Sequence, residues 1–561
     1  MNYRLDSRAA TACHELLHKR FAPSLFPGIT FKEKDGFEAA LSQAGDAFEA
    51  EVVAKLVALH ASNGLRVITA NASKNTAAAL LDPGVHYLLG AVIDEETERE
   101  LAAIRAQIPI TTNLASKPDL LVRMDEESWL AVDIKFHKPV DEGARQRLCT
   151  TTFENMTPTA VDTAGKLKKE DALQLAHYFT HLDALGLASA TPWAGIIGNE
   201  DIELIRWQLL DEKTMRLGGS ASALEVYADG IAKAQAIVEA SVARNSNHQL
   251  PAPAIPMVMP GTKGCKGCGY KDVCIVEIEQ YKGSGHVTLL AAITPDAAKK
   301  FKPPVDSIAE LASCTPEDDE TRKAQTRALA WVNNDIRRLD LADTVRIPRA
   351  DIEIDIDLEN SQAALMDEGI EDAEVSDTIF MYGYALWDRT NTVNWRDAEV
   401  KVFEDWSNSS DGEFKVLLDM WNFVNAQVSL AHEANKSIKI YHYHNPEPRS
   451  FKTLANKYMG KPGVPTLDEV EAFIAEYTVD MLPIAKHWAF HAKGYSIKDL
   501  APLAKFEWDV QDPGGSNAVL KFIDAISDSS TSVQAQDWLR SYNMDDCRAT
   551  IAVREWLENA K

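Results

Sequence analysis

Cysteine is scarce, with seven residues in a chain of 561. So few thiols exclude a disulfide scaffold of the small secreted kind. No apolar leader and no apolar run long enough to cross a bilayer is in view, so a reducing cytoplasm without membrane attachment is the expected setting. Positive charge is also short: Lys and Arg number 58 against 84 Asp and Glu, for a formal net charge of −26. That balance excludes broad electrostatic coating of duplex nucleic acid. A polyanion would enter through a local basic channel, for which Lys135, Lys138, Arg145, Arg147, Lys166, Lys168 and Lys169 are candidates. Internal repeats, low-complexity tracts and lipidation signals are lacking too. The 45% hydrophobic content is that of a globular chain with two or three cored domains.

Chemistry-bearing residues are present in the first half. Leu120-Leu121-Val122-Arg123 and Trp129-Leu130-Ala131-Val132 are apolar runs of strand type on either side of the charged turn Met124-Asp125-Glu126-Glu127-Ser128, so they predict a hairpin. Asp119, after Pro118, stands at the start of the first strand. Asp133 and Lys135 are two apart on the second and share a face. Two carboxylates suit a hard divalent cation such as Mg²⁺ or Mn²⁺, and a neighbouring ammonium can stabilise a phosphate, which makes a compact phosphodiesterase centre. Apolar spacing predicts a helix over 172–185, on which Gln174 and Tyr178 lie one turn apart and can hold substrate or brace the site. By itself Asp-x-Lys is a common pattern on solvated faces.

The ordered set resembles the RecB-like branch of the PD-(D/E)xK nucleases over roughly residues 1–280. The resemblance implies a restriction-endonuclease-like α/β fold with Asp119 and Asp133 as metal ligands and Lys135 as the catalytic lysine. It also implies a further ligand from an upstream Gly-x3-Glu motif, met here by Gly45 and Glu49 in an amphipathic stretch over 37–60, with Glu51 as the competitor.

Cys265-x2-Cys268-x5-Cys274 puts three thiolates on a tight glycine-containing turn, suited to a tetrahedral metal or a cluster, and zinc and iron–sulfur both fit such donors. The resemblance supplies a distant first cysteine, Cys13, and so implies a [4Fe-4S] cluster on Cys13, Cys265, Cys268 and Cys274, with Zn²⁺ as the alternative. Cys149, Cys314 and Cys547 lack such spacing and read as ordinary small core residues.

Two short helices are expected over 289–295 and 305–312, followed by a charged helical stretch over 317–340, and the boundaries fall at 1–285, 286–345 as a helical linker, and 346–561. Turn-rich linkers are expected over 249–260, 407–412, 512–517 and 527–532. Beyond the boundary, residues 351–359 alternate acid and aliphatic, the period of a strand with one carboxylate face. Like charges crowded on one strand face repel unless neutralised, so Asp355, Asp357 and Glu359 are expected to converge on metal. A partner strand is expected over 377–384.

Asp357-x-Glu359, a middle acid, and a final Tyr542-x3-Asp546 resemble, in that order, the DnaQ-like exonucleases of the ribonuclease H fold, over about residues 350–561. The resemblance implies carboxylates holding two metals, Asp546 as last ligand and Tyr542 orienting the attacking water for release from a 3′ end. Where the family has an aspartate after an asparagine, this chain has Asn445 followed by Glu447, so Glu447 or Asp480 must serve as the middle ligand. The two halves together resemble predicted bacterial nucleases that fuse a RecB-like domain to a ribonuclease H-like one. The expected activity is metal-dependent hydrolysis of DNA, as single strands or from ends, in repair, recombination or defence, with a helicase or repair complex as partner. The alternatives are a nucleic-acid-binding adaptor with degenerate sites and an RNA-trimming 3′-5′ exonuclease.

Overall fold

The computed structural model describes residues 3–27, 36–62, 67–107, 112–215, 220–255, 265, 268–340, 345–361, 378–527 and 530–560. Lys266 and Gly267 of the cysteine turn, residues 256–260 of an expected linker, and the side chain of Arg145 lie outside the described residues. Packing divides the chain into two units, one of residues 1–33, 39–255 and 263–270, the other of 34–38, 256–262 and 271–561.

The first unit carries, in chain order, α1 (His14–Phe21), α2 (Gly36–Ser62), β1 (Val67–Thr69), α3 (Ser73–Leu81), β2 (Tyr87–Leu89), α4 (Glu95–Arg105), β3 (Leu120–Arg123), β4 (Trp129–Lys135), β5 (Val140–Thr152), β6 (Thr163–Leu167), α5 (Lys169–Ala184), β7 (Trp193–Gly198), β8 (Leu204–Leu209) and α6 (Ala223–Ser246). Its described strands form one eight-stranded sheet in the order β1-β2-β3-β4-β7-β8-β5-β6. The expected hairpin is β3–β4, antiparallel with Leu120 opposite Val132, and β4 then pairs in parallel with β7 after the α5 crossover. Period-two alternation sorts the apolar side chains. Leu121, Trp129 and Ala131 pack with Leu173, Leu175 and Ala176 of α5, while Leu120, Val122, Leu130, Val132 and Ile134 pack with Phe48, Val52 and Leu56 of α2. Asp133 and Lys135 therefore continue the α5 side of the sheet.

A buried polar network ties the N-terminal segment to α4 and α5. Arg4 grips Glu98 with Nη1 at 3.0 Å and Nη2 at 2.7 Å, Thr112 donates to the same carboxylate at 2.5 Å, and His181 Nε2 is 3.3 Å from it. Burial would push the Glu98 carboxyl up, but the bonds from His181, Arg4 and Thr112 outweigh it and hold the group down at about 2. A depressed carboxylate contributes stability that is present above its usual value of 4.5 and is lost as pH falls through about 2. Glu98→Gln should therefore cost about 3 kcal/mol at pH 7. The gap to wild type should narrow between pH 4.5 and 2 in urea melts, and a constant gap would refute the linkage.

The second unit carries α7 (Lys271–Glu279), α8 (Pro295–Ala298), α9 (Ile308–Ser313), α10 (Asp319–Asn333), β9 (Arg337–Arg338), β10 (Ile352–Asn360), β11 (Ile379–Asp388), β12 (Glu399–Glu404), α11 (Ser410–Glu433), β13 (Ile438–His442), α12 (Pro446–Lys457), α13 (Leu467–Tyr477), β14 (Thr478–Asp480), α14 (Met481–Ala485), β15 (Trp488–Ala489), α15 (Ile497–Leu500), α16 (Gly515–Ile526) and α17 (Ser532–Glu558). The helix expected over 289–295 does not form. Thr294 accepts a bond from the Ala297 N–H as N-cap, and Pro295 takes the first helical position, so α8 begins where that helix was to end. The expected linker segment packs within this unit: β9 pairs with β15, and Trp331 stacks on His491 at 4.3 Å.

The sheet of this unit runs β12-β11-β10-β13-β14, with β10–β11 and β11–β12 antiparallel and β10–β13 and β13–β14 parallel. The aliphatic face of β10, Ile352, Ile354 and Ile356, packs with Tyr382 and Tyr384 of β11 against Val416, Leu417, Met420 and Trp421 of α11. The acidic side chains of β10 face α17, which also packs on Ala385 and Trp387 through Cys547 and Ile551.

Candidate active site

The carboxylates along β10 separate into two pairs. Glu353 and Asp355 are fully buried with Arg554 of α17, which binds Asp355 through Nη1 and, at 2.8 Å, through Nη2, and reaches Glu353 at 3.1 Å. Arg349 adds bonds of 2.7 and 3.0 Å to Glu353. The expectation that Asp355 joins Asp357 and Glu359 at a metal is thus corrected, because a buried guanidinium already satisfies both its oxygens.

Asp357 and Glu359 remain, half-buried, and meet Asp546 of α17: one ligand atom from each lies within 4.8 Å of the others. Asp545 is turned away, bonding the Asp509 N–H at 2.8 Å and Arg548 at 3.1 Å. Asp357 also accepts a 2.9 Å bond from Asn543 Nδ2. Gly383 stands opposite Asp357 on β11 and lets α17 come this close. A Cβ there would overlap Asn543 Oδ1 and lie 3.3 Å from Cys547 Sγ.

Glu447, in the first turn of α12, is buried, and its Oε2 has no hydrogen-bond partner among the described residues. His442 Nδ1, 3.7 Å away, is committed to the His444 carbonyl, and burial keeps that ring's pKa low. Burial, then the Asp357 charge, pushes the Glu447 carboxyl well up. Asp480 is less available: its Oδ1 accepts from the His444 and Leu482 N–H groups at 2.9 Å each, capping α14. Burial followed by Asp546 raises Asp357, and burial followed by Asp357 and Asp546 raises Glu359, each against the pull of Lys498. Such crowding favours a bound cation, which would relieve the repulsion.

Tyr542 is buried and stacks on Trp538 with centroids 5.1 Å apart. Burial and then Glu359, Asp546 and Asp357 push its phenol far up, so it stays a neutral O–H donor beside three carboxylates. Two residues without any motif complete the wall: Lys498 of α15 is ion-paired to Asp546, and Trp508 Nε1 donates to Asp546 Oδ1 at 2.6 Å. The oxygen donors of Asp357, Glu359 and Asp546 fit Mg²⁺ or Mn²⁺.

In the first unit Asp119 and Asp133 are also brought together. Burial and then the Asp133 charge and hydrogen bond push Asp119 up to about 9, with Glu49 adding to the rise and a 2.7 Å bond from the Ile134 N–H opposing it. Asp133 is buried and paired with Lys135. Burial pushes Glu49 up, with Asp133 next in effect and Lys135 opposing. Gln174 Nε2 donates to Tyr178 Oη at 2.6 Å, and Tyr178 donates on to the Lys117 carbonyl at 3.2 Å. Of the basic candidates, Lys138 pairs with Glu200 at 3.4 Å and Arg147 with Glu212 at 2.6 Å.

Cys13 is the N-cap of α1, and the Cys268 N–H bonds the Cys265 carbonyl at 3.3 Å. Tyr270, which follows them, feels the charges of Arg20, Cys268 and Lys19, so this turn lies beside α1. Cys274 falls in the second unit.

The second unit thus combines a mixed α/β architecture with carboxylates clustered on β10, the first strand of its five-stranded sheet, and on its last helix, α17. A family model described as the RNase_H superfamily matches residues 370–558, from before β11 to the end of α17, and this similarity points to a nuclease-type activity. Comparison with curated proteins and with solved structures gives no match. The matched span begins after β10, so Asp357 and Glu359 join the site through the sheet register. Among the described residues no helix is long and apolar enough to cross a membrane.

Proposed function

We propose that this chain is a metal-dependent nuclease hydrolysing phosphodiester bonds of DNA, as single strands or from ends, with its working centre on β10 and α17. The convergence of Asp357, Glu359 and Asp546 within 4.8 Å carries the reading. Mg²⁺ or Mn²⁺ bound there would supply positive charge to a phosphate and acidify an attacking water. Asp357, Glu359, Asp546 and Glu447 would hold it. The neutral Tyr542 hydroxyl would orient the water by donating to it, as the resemblance to DnaQ-like exonucleases implies.

A second centre is supported by the mutual electrostatics of Asp119, Asp133, Glu49 and Lys135. In this PD-(D/E)xK-type reading Asp119, Asp133 and Glu49 would bind the cation and Lys135 would stabilise the phosphate, braced by Gln174 and Tyr178. The cysteines 13, 265, 268 and 274 are proposed to hold a structural [4Fe-4S] cluster, with Zn²⁺ as the competing occupant. Anaerobic purification with iron, sulfide and zinc analysis separates these. A cytoplasmic setting and a helicase or repair-complex partner belong to the same proposal.

The test is degradation of end-labelled single-stranded and duplex DNA and RNA in Mg²⁺ or Mn²⁺ by wild type, Asp357→Ala, Asp133→Ala and the double variant. Loss of end-directed nucleotide release on Asp357→Ala supports the second-unit centre, and residual cleavage removed by Asp133→Ala supports the first. Cleavage confined to RNA would favour the trimming reading. Tight binding without cleavage by any variant would refute nuclease activity and favour an adaptor.

A further inference from the structure

Lys498 takes no part in the motifs above, yet it reaches further into the site than any other cation described around it. It sits on a short helix whose Ser496 and Asp499 form a capping box. Its Nζ is ion-paired to Asp546 and lies 4.2 Å from the Trp508 ring centroid and 4.3 Å from that of Tyr542. The same charge opposes the ionisation penalty of both Asp357 and Glu359. Other cations nearby are engaged elsewhere, Arg554 with Asp355 and Glu353 and Arg548 with Asp545. Asp546 Oδ1 is thus shared by Lys498 and the Trp508 N–H, at a site of three converging carboxylates.

A divalent cation and an ammonium cannot both hold one carboxylate oxygen without strong repulsion. The four-carbon stem of lysine allows Nζ to move while staying on the aromatic faces, which attract a cation wherever it lies over them. We propose that Lys498 is the resident counter-cation of this site, displaced from Asp546 when a divalent ion binds and then turned onto a non-bridging oxygen of the bound phosphate. The inference rests on the nuclease reading for its second half and on the site's geometry alone for its first.

Mn²⁺ binding and cleavage of end-labelled DNA are measured on the full chain in an Asp133→Ala background, which isolates the second-unit site, with Asp357→Ala to identify it. Lys498→Met keeps the apolar stem against both rings. It should bind Mn²⁺ about tenfold more tightly, since a competing charge is gone, and cleave about 100-fold more slowly, since a charge on the phosphate is lost. Lys498→Gln repeats the comparison should the methionine variant fold poorly. Unchanged or weaker Mn²⁺ binding overturns the counter-cation role. Tighter binding with unchanged or faster cleavage overturns the phosphate role. If the Asp133→Ala chain itself cleaves nothing, the second-unit nuclease reading falls, while the Mn²⁺ comparison still decides whether Lys498 competes for the site.

Discussion

Arg554→Met should destabilise the second unit by about 3–5 kcal/mol, the cost of leaving buried carboxylates without their partner. Arg554 and both its acidic partners are fully buried, and its guanidinium lies 3.8 Å over the Tyr441 ring. Glu353 would keep Arg349, whereas Asp355 would lose the side chain that bonds both its oxygens. Even with Arg554 in place, burial pushes Asp355 up to about 6. A raised carboxyl costs stability as pH rises from its usual 3.8 through the folded value. Without the arginine that window should extend upward, so the variant's deficit in urea melts should be larger at pH 8 than at pH 5. Adding Asp355→Leu should recover most of the loss, because an apolar pair can replace a buried ion pair of similar volume. A deficit independent of pH, with no recovery, would show that packing rather than charge holds this contact.

Gly383→Ala should lower metal-dependent cleavage about 100-fold, the scale of a misplacement near 1 Å in a catalytic array. It should also cost about 1–3 kcal/mol through overpacking. The new methyl group would overlap Asn543 Oδ1, so the Asn543 side chain must leave its 2.9 Å bond to Asp357. Pairing the substitution with Asn543→Ala removes the overlap but not the loss of that bond. Thermal melts should then recover while cleavage does not, and joint recovery would mean that Asn543 does not position Asp357.

Much of the site was legible because its signals are local. Alternation over 351–359 predicted a strand with one acidic face, and β10 spans Ile352–Asn360. Tyr542 and Asp546, four apart, share a helix face by helical spacing, as do Gln174 and Tyr178. The departures were equally physical. Residues 289–295 read as a helix on apolar content, yet a threonine cap and a proline shifted the start to Pro295. Glu447 and Asp480 could not be ranked along the chain, since the difference between them is where their oxygens point. Asp480 caps α14, while Glu447 keeps a buried oxygen without a hydrogen bond among the described residues and feels the charge of Asp357.

By itself the sequence determined the periodic elements and the residue types along them, because backbone geometry repeats over two or 3.6 residues and acts on near neighbours. Only the tertiary structure decided which acids remain for a cation. Arg554 neutralises Asp355 across 199 positions, Asn543 steadies Asp357 across 186, and Lys498 reaches Asp546 across 48. Charge compensation works through space over a few ångströms, so it becomes visible only when distant segments have packed together.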